Sequence, residues 1–351
     1  MKFHLVTGAC GFVGRNTVKQ LLKRTGDYVI MVDDLSVGTH PTTWLEDPVS
    51  KKLKDIEVFG KDERLFFFRT DIRKFLNKLQ EDADWLKREY GLKIERFGDV
   101  FHFAAIVGGR AKIEGDPMAV ALDLSIDAEF FNWIAKSKPE RVLYPSSSAA
   151  YPINLQAEGN AVALKESYID INGYTLGKPD MTYGWTKLTG EYLAKIAAEH
   201  YGISIVCIRP FSGYGEDQDL SYPVPAIATR AARKEDPFEV WGTGQQGRDF
   251  VHIDDVMDCM FLAMDKIHDG TAINIGSGKL TSFIELIQLF TKFAGYSPAI
   301  KPLTDKPMGV HSRYSDMSFV KQLLGWEPRI SLEEGMRRVY DVAVERIKNN
   351  K

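Results

Sequence analysis

The chain has 351 residues, 44% of them hydrophobic, with 48 Asp and Glu against 45 Lys and Arg, and three cysteines. A net charge of -3 excludes the basic field that a nucleic-acid or membrane surface requires, so neither is expected as a partner. Cys10, Cys207 and Cys259 are far apart and set in apolar surroundings, which excludes a disulfide framework or zinc site; no metal is expected. The first strand begins almost at residue 1 and no apolar run reaches membrane-span length, so the expected location is the cytoplasm.

The apolar run Phe3 to Val6 reads as a strand, and Val13, Val18, Leu21 and Leu22 have helical spacing. Between them lies Thr7-Gly8-Ala9-Cys10-Gly11-Phe12-Val13-Gly14, a strand, tight turn and helix. Gly8 and Gly11 allow the backbone to turn and approach a pyrophosphate, and Gly14 lets the helix pack while its N-terminal amides face the anion. Glycines also mark ordinary turns, so an acid after a second strand is needed. Tyr28 to Val32 is that strand and ends at Asp33-Asp34, about twenty residues beyond the glycines. Asp33 can accept from ribose hydroxyls and would repel a 2'-phosphate. Leu35-Ser36-Val37-Gly38 offers no Arg or Lys, so NAD is expected rather than NADP.

Ser36 to Lys61 is polar, with Gly38, Pro41 and Pro48, and is expected to be a loop with one short helix near the adenosine. Lys51, Lys52 and Lys54 alternate with acids and read as a solvated face. Leu65 to Thr70 is a third buried strand running into Asp71-Ile72-Arg73, where Asp71 can reach the adenine amino group. Leu79 to Phe97 is long and charged and reads as one exposed helix. Asp99 to Ala105 is strand four; its small residues Ala104 and Ala105 let backbone pass close to the cofactor. Ile106 to Arg110 is expected as a loop at the strand's carboxyl end. Asp123 to Lys136 is a helix and Arg141 to Pro145 is strand five. The alternation implies a doubly wound parallel sheet of the Rossmann type. Residues 1–214 are expected as the dinucleotide-binding domain. From about Gly215 the texture changes, so 215–351 is expected as a smaller α/β substrate lobe, with strands at Ile203 to Ile208 and Ala272 to Ile275 returning the chain to the main sheet.

Strand five ends in Ser146-Ser147-Ser148-Ala149-Ala150-Tyr151-Pro152, and Tyr183-Gly184-Trp185-Thr186-Lys187 opens a helix to His200. Tyr183 and Lys187 share one helix face, where an ammonium stabilises phenolate and makes the tyrosine a general base near neutral pH. Each signal alone has an ordinary explanation, chance spacing or a serine turn; their order downstream of a dinucleotide turn makes the set specific. His102 and His252 read as strand-end hydrogen bonders, and Trp185, Trp241 and Trp326 as packing residues.

TGACGFVG, VDDLSVG, Asp71-Ile72, HFAA, SSSAAYP, YGWTK, RPFSGYG, RDFVHIDD, NIGSG and LGWEP occur in this order. With them the chain resembles the extended short-chain dehydrogenase/reductases of the NAD-dependent nucleotide-sugar epimerase and dehydratase branch. The resemblance implies Ser147 as the catalytic hydroxyl, four residues before Tyr151, with Ser148 its rival. It implies Tyr183 as base and Lys187 as the residue that holds the ribose hydroxyls. Gly8, Gly11, Phe12, Val13, Gly14, Asp33, Asp34, Ser36, Asp71, Ile72, Ala104, Ala105 and Pro210 would contact NAD. Ser147, Ser148, Arg248 and Arg313 would contact the sugar nucleotide; a guanidinium fork suits a diphosphate, and Arg313 has a second reading as a surface arginine in an ion pair.

The implied first step is removal of the C4-hydroxyl proton by Tyr183, with hydride passing to NAD. A 4-epimerase then returns hydride to the other face of the 4-keto sugar; a 4-dehydrogenase, reductase or dehydratase, or a non-catalytic binding protein of the same fold, is the alternative. The 4,6-dehydratases carry Asp-Glu after the catalytic hydroxyl, where this chain has Ser148-Ala149. Residues 238–248 and 309–316 are similar to GDP-mannose 3,5-epimerases, which tilts the base toward GDP over UDP, yet those enzymes carry a cysteine where Ala149 stands. Asp123 replaces the family's usual Asn and Pro152 its usual Gly, and neither is expected to touch the core chemistry. Loops near Ile106 to Ile113 and Ile153 to Asp180 are expected to select the sugar. The helices at Asp123 to Lys136 and Thr186 to His200 are expected to pair between subunits of a homodimer.

Overall fold

A computed structural model describes residues 1–106, 110–173, 175–306 and 308–349, with backbone alone at 110–112. The chain opens with β1 (Phe3–Thr7), α1 (Phe12–Arg24) and β2 (Tyr28–Asp33). The stretch expected as a loop contains a hairpin, β3 (Val49–Leu53) and β4 (Ile56–Phe59), besides a 3-10 turn at Pro41–Thr43. Lys51, Lys52 and Lys54 are exposed while Ile56, Val58 and Phe59 are buried. Lysines along an outermost strand protect the open edge from further pairing, and that charge masked the strand pattern in the sequence.

β5 (Leu65–Arg69) is followed by α2 (Ile72–Glu81) and α3 (Trp85–Tyr90), so the single helix expected over Leu79 to Phe97 is two. Gly91, at φ 75, ends α3. Nor is this an exposed elaboration: Trp85, Leu86, Leu92 and Phe97 are buried in the same core cluster as Phe68 and Phe75. Four well-placed apolar side chains anchor a segment whose average composition is charged. β6 (Asp99–His102) comes next, and most of the expected loop Ile106 to Arg110 lies outside the described residues. The chain continues through α4 (Arg110–Gly115), α5 (Pro117–Ala121), α6 (Asp123–Ser137), β7 (Arg141–Pro145), α7 (Met181–Tyr201), β8 (Ile205–Pro210) and β9 (Ser212–Tyr214).

The remaining elements are α8 (Pro223–Ala232), β10 (Phe238–Trp241), β11 (Gly247–Arg248), β12 (Phe250–His252), α9 (Ile253–Lys266), β13 (Asp269–Ile275), β14 (Thr281–Ser282), α10 (Phe283–Ala294), β15 (Ile300–Leu303), β16 (Ser312–Arg313), α11 (Ser318–Leu324) and α12 (Leu332–Asn349). Among the described residues the main sheet has nine strands in the order β13-β8-β7-β6-β1-β2-β5-β4-β3. It is parallel from β13 through β5, and β4 and β3 run antiparallel.

Successive strand residues face opposite sides of a sheet, and two cores result. Leu5, Val100 and Val142 meet Phe130 and Ile134 of α6 on one face. Val6, Phe101 and Leu143 meet Val18 and Leu21 of α1 and Met257 and Met260 of α9 on the other. A third cluster, with Ile227, Phe238, Leu286, Phe290, Met336 and Val339, joins α8, β10, α10 and α12 away from the main sheet. The chain leaves β1 toward β2 and β5 on one side, then returns to build β6, β7, β8 and β13 on the other. Strand order therefore reverses between β1 and β6, and an open α/β sheet places ligands at the carboxyl ends of the strands flanking such a point.

Candidate active site

The turn after β1 is shaped by its neighbours. Gly8 has φ 63, and a Cβ there would lie 2.5 Å from the Phe103 carbonyl carbon and 2.6 Å from the Ala104 nitrogen. The loop after β6 thus presses directly on the turn. A Cβ on Gly14 would lie 2.1 Å from the Gly8 carbonyl oxygen, so α1 starts against the turn only because residue 14 is glycine. At Gly11 a Cβ would make an ordinary 3.4 Å contact with the Gly8 carbonyl. Internal packing does not demand glycine there; close approach of a ligand to the backbone would. The turn, the amino end of a thirteen-residue helix and the adjacent small residues Ala104 and Ala105 fit a dinucleotide pyrophosphate.

Asp33 accepts the Cys10 amide at 2.8 Å and the Leu35 amide at 2.8 Å. Burial raises its pKa against these two hydrogen bonds. It therefore holds the turn in place as well as standing at the end of β2. Asp34 and Ser36 are exposed, and the Ser36 amide donates a hydrogen bond to the Asp34 carboxylate at 2.9 Å. Gly38 crosses the turn so closely that a Cβ would lie 2.7 Å from Cys10. Asp71 caps α2 through the Arg73 amide at 2.8 Å and receives the Arg73 guanidinium at 3.1 and 2.6 Å. That guanidinium holds its carboxyl below the usual range, so any approach to adenine shares the carboxylate with Arg73. Ile72 is buried in the core and offers a ligand its backbone. Phe12 and Val13 are half-buried at the start of α1, and Pro210 is half-buried at the end of β8.

The serine run after β7 divides by role. Ser146 is buried and donates to Glu191, which also takes the Arg209 guanidinium at 2.8 and 2.7 Å. Ser148 is buried. Ser147 is half-buried and its hydroxyl accepts the Ala149 amide at 3.1 Å. Helix α7 lies against this turn through Gly184, where a Cβ would be 2.3 Å from the Ala149 carbonyl oxygen, and the Asp180 amide donates to that same oxygen at 2.9 Å. Tyr183, beside Gly184, is half-buried, and Lys187 one turn on is buried.

The Lys187 Nζ lies 5.8 Å from the Tyr183 ring centre and 5.5 Å from that of Tyr144. Burial lowers the Lys187 pKa, but Asp127, Tyr183 and Asp123 together outweigh it, and the net direction is up. Asp123, buried at the start of α6, is the weakest of these three charges. The sequence reading passed over Asp127, because an acid in a helix ordinarily faces water.

The two arginines sit on adjacent short strands. Arg248 and Arg313 are register partners in the parallel pair β11 and β16 and so share a face of that small sheet. Arg248 donates to the carbonyls of Gly247 at 2.7 Å and Met308 at 3.4 Å. Arg313 donates to Gln156 at 2.5 Å and to Asp180 at 2.7 Å, in a pair that is largely buried rather than at the surface. Asp180 and Gln156 were not foreseen, because nothing local marks them. Arg209 had a signal: a lone charge within an apolar strand requires a buried partner. His102 and His252 are hydrogen bonders, His252 capping α9 through the Asp254 amide at 3.2 Å. Of the three tryptophans read as packing residues, Trp326 is buried, and Trp185 and Trp241 are each 45% exposed.

The chain is similar to known proteins over most of its length. The chain is 29% identical to GDP-mannose 3,5-epimerase of Arabidopsis thaliana over 355 aligned residues, covering 99% of this chain and 83% of that one. The structure of UDP-glucose 4-epimerase of Thermotoga maritima with UDP-glucose aligns with a TM-score of 0.76 at 26% identity, covering 99% of each chain. That of UDP-glucuronic acid 4-epimerase of Bacillus cereus with UDP-glucuronic acid and NAD aligns with a TM-score of 0.75 at 26% identity, covering 98% and 99%. Residues 4–276 match the model of the NAD dependent epimerase/dehydratase family, and the chain belongs to that family of NAD-dependent nucleotide-sugar enzymes.

Proposed function

We propose that this chain is a nucleotide-diphosphate-sugar 4-epimerase that works through a 4-keto intermediate. The observation that carries the reading is the placing of half-buried Tyr183 one helical turn from buried, charged Lys187, at the same sheet edge as Ser147 and the Gly8 to Gly14 turn. Tyr183 takes the proton of the sugar C4 hydroxyl, and Ser147 hydrogen-bonds the same oxygen as its charge changes. Lys187 favours the phenolate by its charge and holds the ribose hydroxyls. Gly8, Gly11, Phe12, Val13 and Gly14 take the pyrophosphate, Asp33, Asp34 and Ser36 the adenosine ribose, and Asp71 and Ile72 the adenine. Ala104, Ala105 and Pro210 flank the nicotinamide side. NAD, when bound, supplies the acceptor that takes the C4 hydride and gives it back.

Arg248 binds the substrate diphosphate from the lobe at 215–351, and Arg313 reaches it by exchanging or sharing its contact with Asp180. Ser148 supports the sugar beside Ser147. The similarity of residues 238–248 and 309–316 to GDP-mannose 3,5-epimerase points to guanine as the base, whereas the solved neighbours named above hold UDP-sugars. Ser148-Ala149 places no acid pair after Ser147, which favours epimerisation over dehydration. The protein acts in carbohydrate biosynthesis in the cytoplasm.

Exposed Leu124 on α6 and Trp185 and Tyr192 on α7, with Met118 and Leu122 beside them, form the face through which we expect two copies to pair. Sedimentation should give a dimer that Trp185→Glu converts to monomer; a wild-type monomer removes this part of the proposal. The reaction is tested by incubating purified protein with UDP-, GDP-, CDP- and dTDP-sugars and following products by mass spectrometry and NMR. One sugar inverted at C4 with no net change of cofactor is expected. Stoichiometric consumption of NAD with a keto sugar would make it a dehydrogenase instead.

A further inference from the structure

Glu191 of α7 and Arg209 of β8 are both buried and meet as a fork, Nε to Oε1 at 2.8 Å and Nη2 to Oε2 at 2.7 Å. The pair stands outside the proposed chemistry, and a buried ion pair adds little net stability over apolar side chains of the same size. Its further side-chain contacts run to the two ends of the serine turn. At one end the Ser146 hydroxyl donates to Glu191 Oε1. At the other, Arg209 Nη1 donates to the Tyr151 hydroxyl at 3.0 Å, with the guanidinium carbon 4.9 Å from the centre of the Tyr151 ring. Tyr151 passes its own proton to Asn274 Oδ1 at 2.7 Å, and the Asn274 amide donates to the Leu164 and Asp316 carbonyls at 2.8 and 3.1 Å. Ser146, Tyr151 and Asn274 are buried as well. A buried network in which the members satisfy one another fixes a single arrangement.

Between the two ends lies a 3-10 turn, Ser148–Ala150, capped by Ser147. Ser147 has extended backbone, φ -159 and ψ 154, and neighbouring residues in such backbone face opposite ways. Ser146 is accordingly buried while Ser147 is left half-buried at the sheet edge. Glu191 lies one turn beyond Lys187 and two beyond Tyr183 on the same helix. Its carboxylate thus joins the serine turn to the helix that carries the proposed base. The Asp180 amide, just ahead of that helix, holds the middle of the turn through the Ala149 carbonyl at 2.9 Å.

We propose that Glu191 and Arg209 are positioning residues for Ser147: they clamp the turn at Ser146 and Tyr151 and so hold the Ser147 hydroxyl at a fixed place relative to Tyr183. This rests on the reading of Ser147 and Tyr183 as the two hydroxyls that meet the sugar oxygen. Both must lie within hydrogen-bond reach of that one atom, and a misplacement of about 1 Å costs up to about 10²-fold in rate. The clamp touches neither Arg248 nor the Gly8 to Gly14 turn in any of these contacts, so its loss acts on turnover rather than on binding.

The test begins with Ser146→Ala, which opens one end of the clamp and leaves the ion pair closed. Hydrogen exchange followed by mass spectrometry on the full-length, NAD-saturated protein should quicken in the peptide carrying Ser147 to Tyr151 and stay unchanged in the peptide carrying Gly8 to Gly14. On the sugar nucleotide of the panel that wild type turns over, kcat should fall about 10-fold with KM unchanged. That fall should vanish when Ser147→Ala is already present, because Ser146 acts through Ser147. A residue with only a structural role would lower kcat equally in both backgrounds. Such an equal fall, or unmoved exchange in folded Ser146→Ala, overturns the proposal. If Ser146→Ala does not fold, the double variant Glu191→Leu/Arg209→Met removes both charges and leaves no buried ion unpaired; the same results are expected and the same outcomes are decisive. A wild type that turns over no sugar of the panel removes the epimerase reading, and the exchange then decides the clamp by itself.

Discussion

The carboxyl edge of the main sheet and the small sheet of β14, β11 and β16 both carry residues assigned to the proposed cleft, but they are built differently. At the main sheet each group sits within a few residues of the strand that positions it: Gly8 after β1, Asp33 at the end of β2, Ser147 after β7. Backbone geometry alone fixes them there. In the lobe, Arg248 and Arg313 lie 65 positions apart in sequence and become neighbours only because the two-residue strands β11 and β16 pair. Asp249, beside Arg248, holds that join. Fully buried, it accepts the Ser277 amide at 2.6 Å, the Gly278 amide at 3.1 Å and the Ser315 amide at 3.0 Å. A site made of turns on one sheet tolerates little change in the turns, whereas a site made by pairing depends on the residues that fasten the pair.

This contrast can be broken by substitution, beginning at the main sheet. Tyr183→Phe should lower turnover by about 10²–10⁴-fold, the range for loss of a general base, while NAD binding measured by calorimetry persists; unchanged turnover removes the mechanism. Gly8→Ala should abolish NAD binding and cost about 1–2 kcal/mol or more of stability in denaturant unfolding, because an L residue at positive φ adds strain to the contact with Phe103. Retained NAD affinity would show that the turn is not the binding element.

The lobe should respond less, and its two arginines unequally. Arg248 is held by carbonyls, so Arg248→Ala should raise KM about 10-fold with little change in kcat. Arg313→Ala also strips Asp180, next to the start of α7, of its guanidinium and should lower kcat as well. Identical kinetic signatures would mean that the Arg313 to Asp180 contact carries nothing to Tyr183.

The smallest effect concerns the seam between the two regions. Asp217, after β9, accepts Arg15 of α1 at 2.7 Å and faces Lys19 and Asn16. Burial raises its pKa, but these donors outweigh burial and leave it below the usual value. Its folded pKa is thus below its unfolded one. The stability it adds is present above about pH 4 and is lost as pH falls through the folded value. Asp217→Asn should flatten the acid slope of stability while leaving the alkaline side unchanged, and an unaltered acid slope would show that the seam is held elsewhere.

What could be read beforehand follows the same division. Hydrophobic runs that end in glycine, acid or serine announce strands whose ends carry chemistry, so β1, β2, β5, β6 and β7 and the Gly8 to Gly14 turn were legible. The hairpin at Val49–Phe59 was hidden by its lysines, and α3 by its charged average, since composition says nothing of which few side chains point inward.

The sequence by itself determined the parallel sheet, the cofactor turn and the Tyr183 and Lys187 pair, because strand alternation, glycine spacing and helical periodicity act over a few residues. Only the tertiary structure decided that Ser146 serves the buried Glu191–Arg209 pair while Ser147 remains half-exposed, that Asp180 holds Arg313, and that Asp127 takes the Tyr144 hydroxyl. Each of these is a buried charge or hydroxyl meeting a partner from a distant element. Burial, which makes such a partner obligatory, is set by packing that no local stretch of sequence contains.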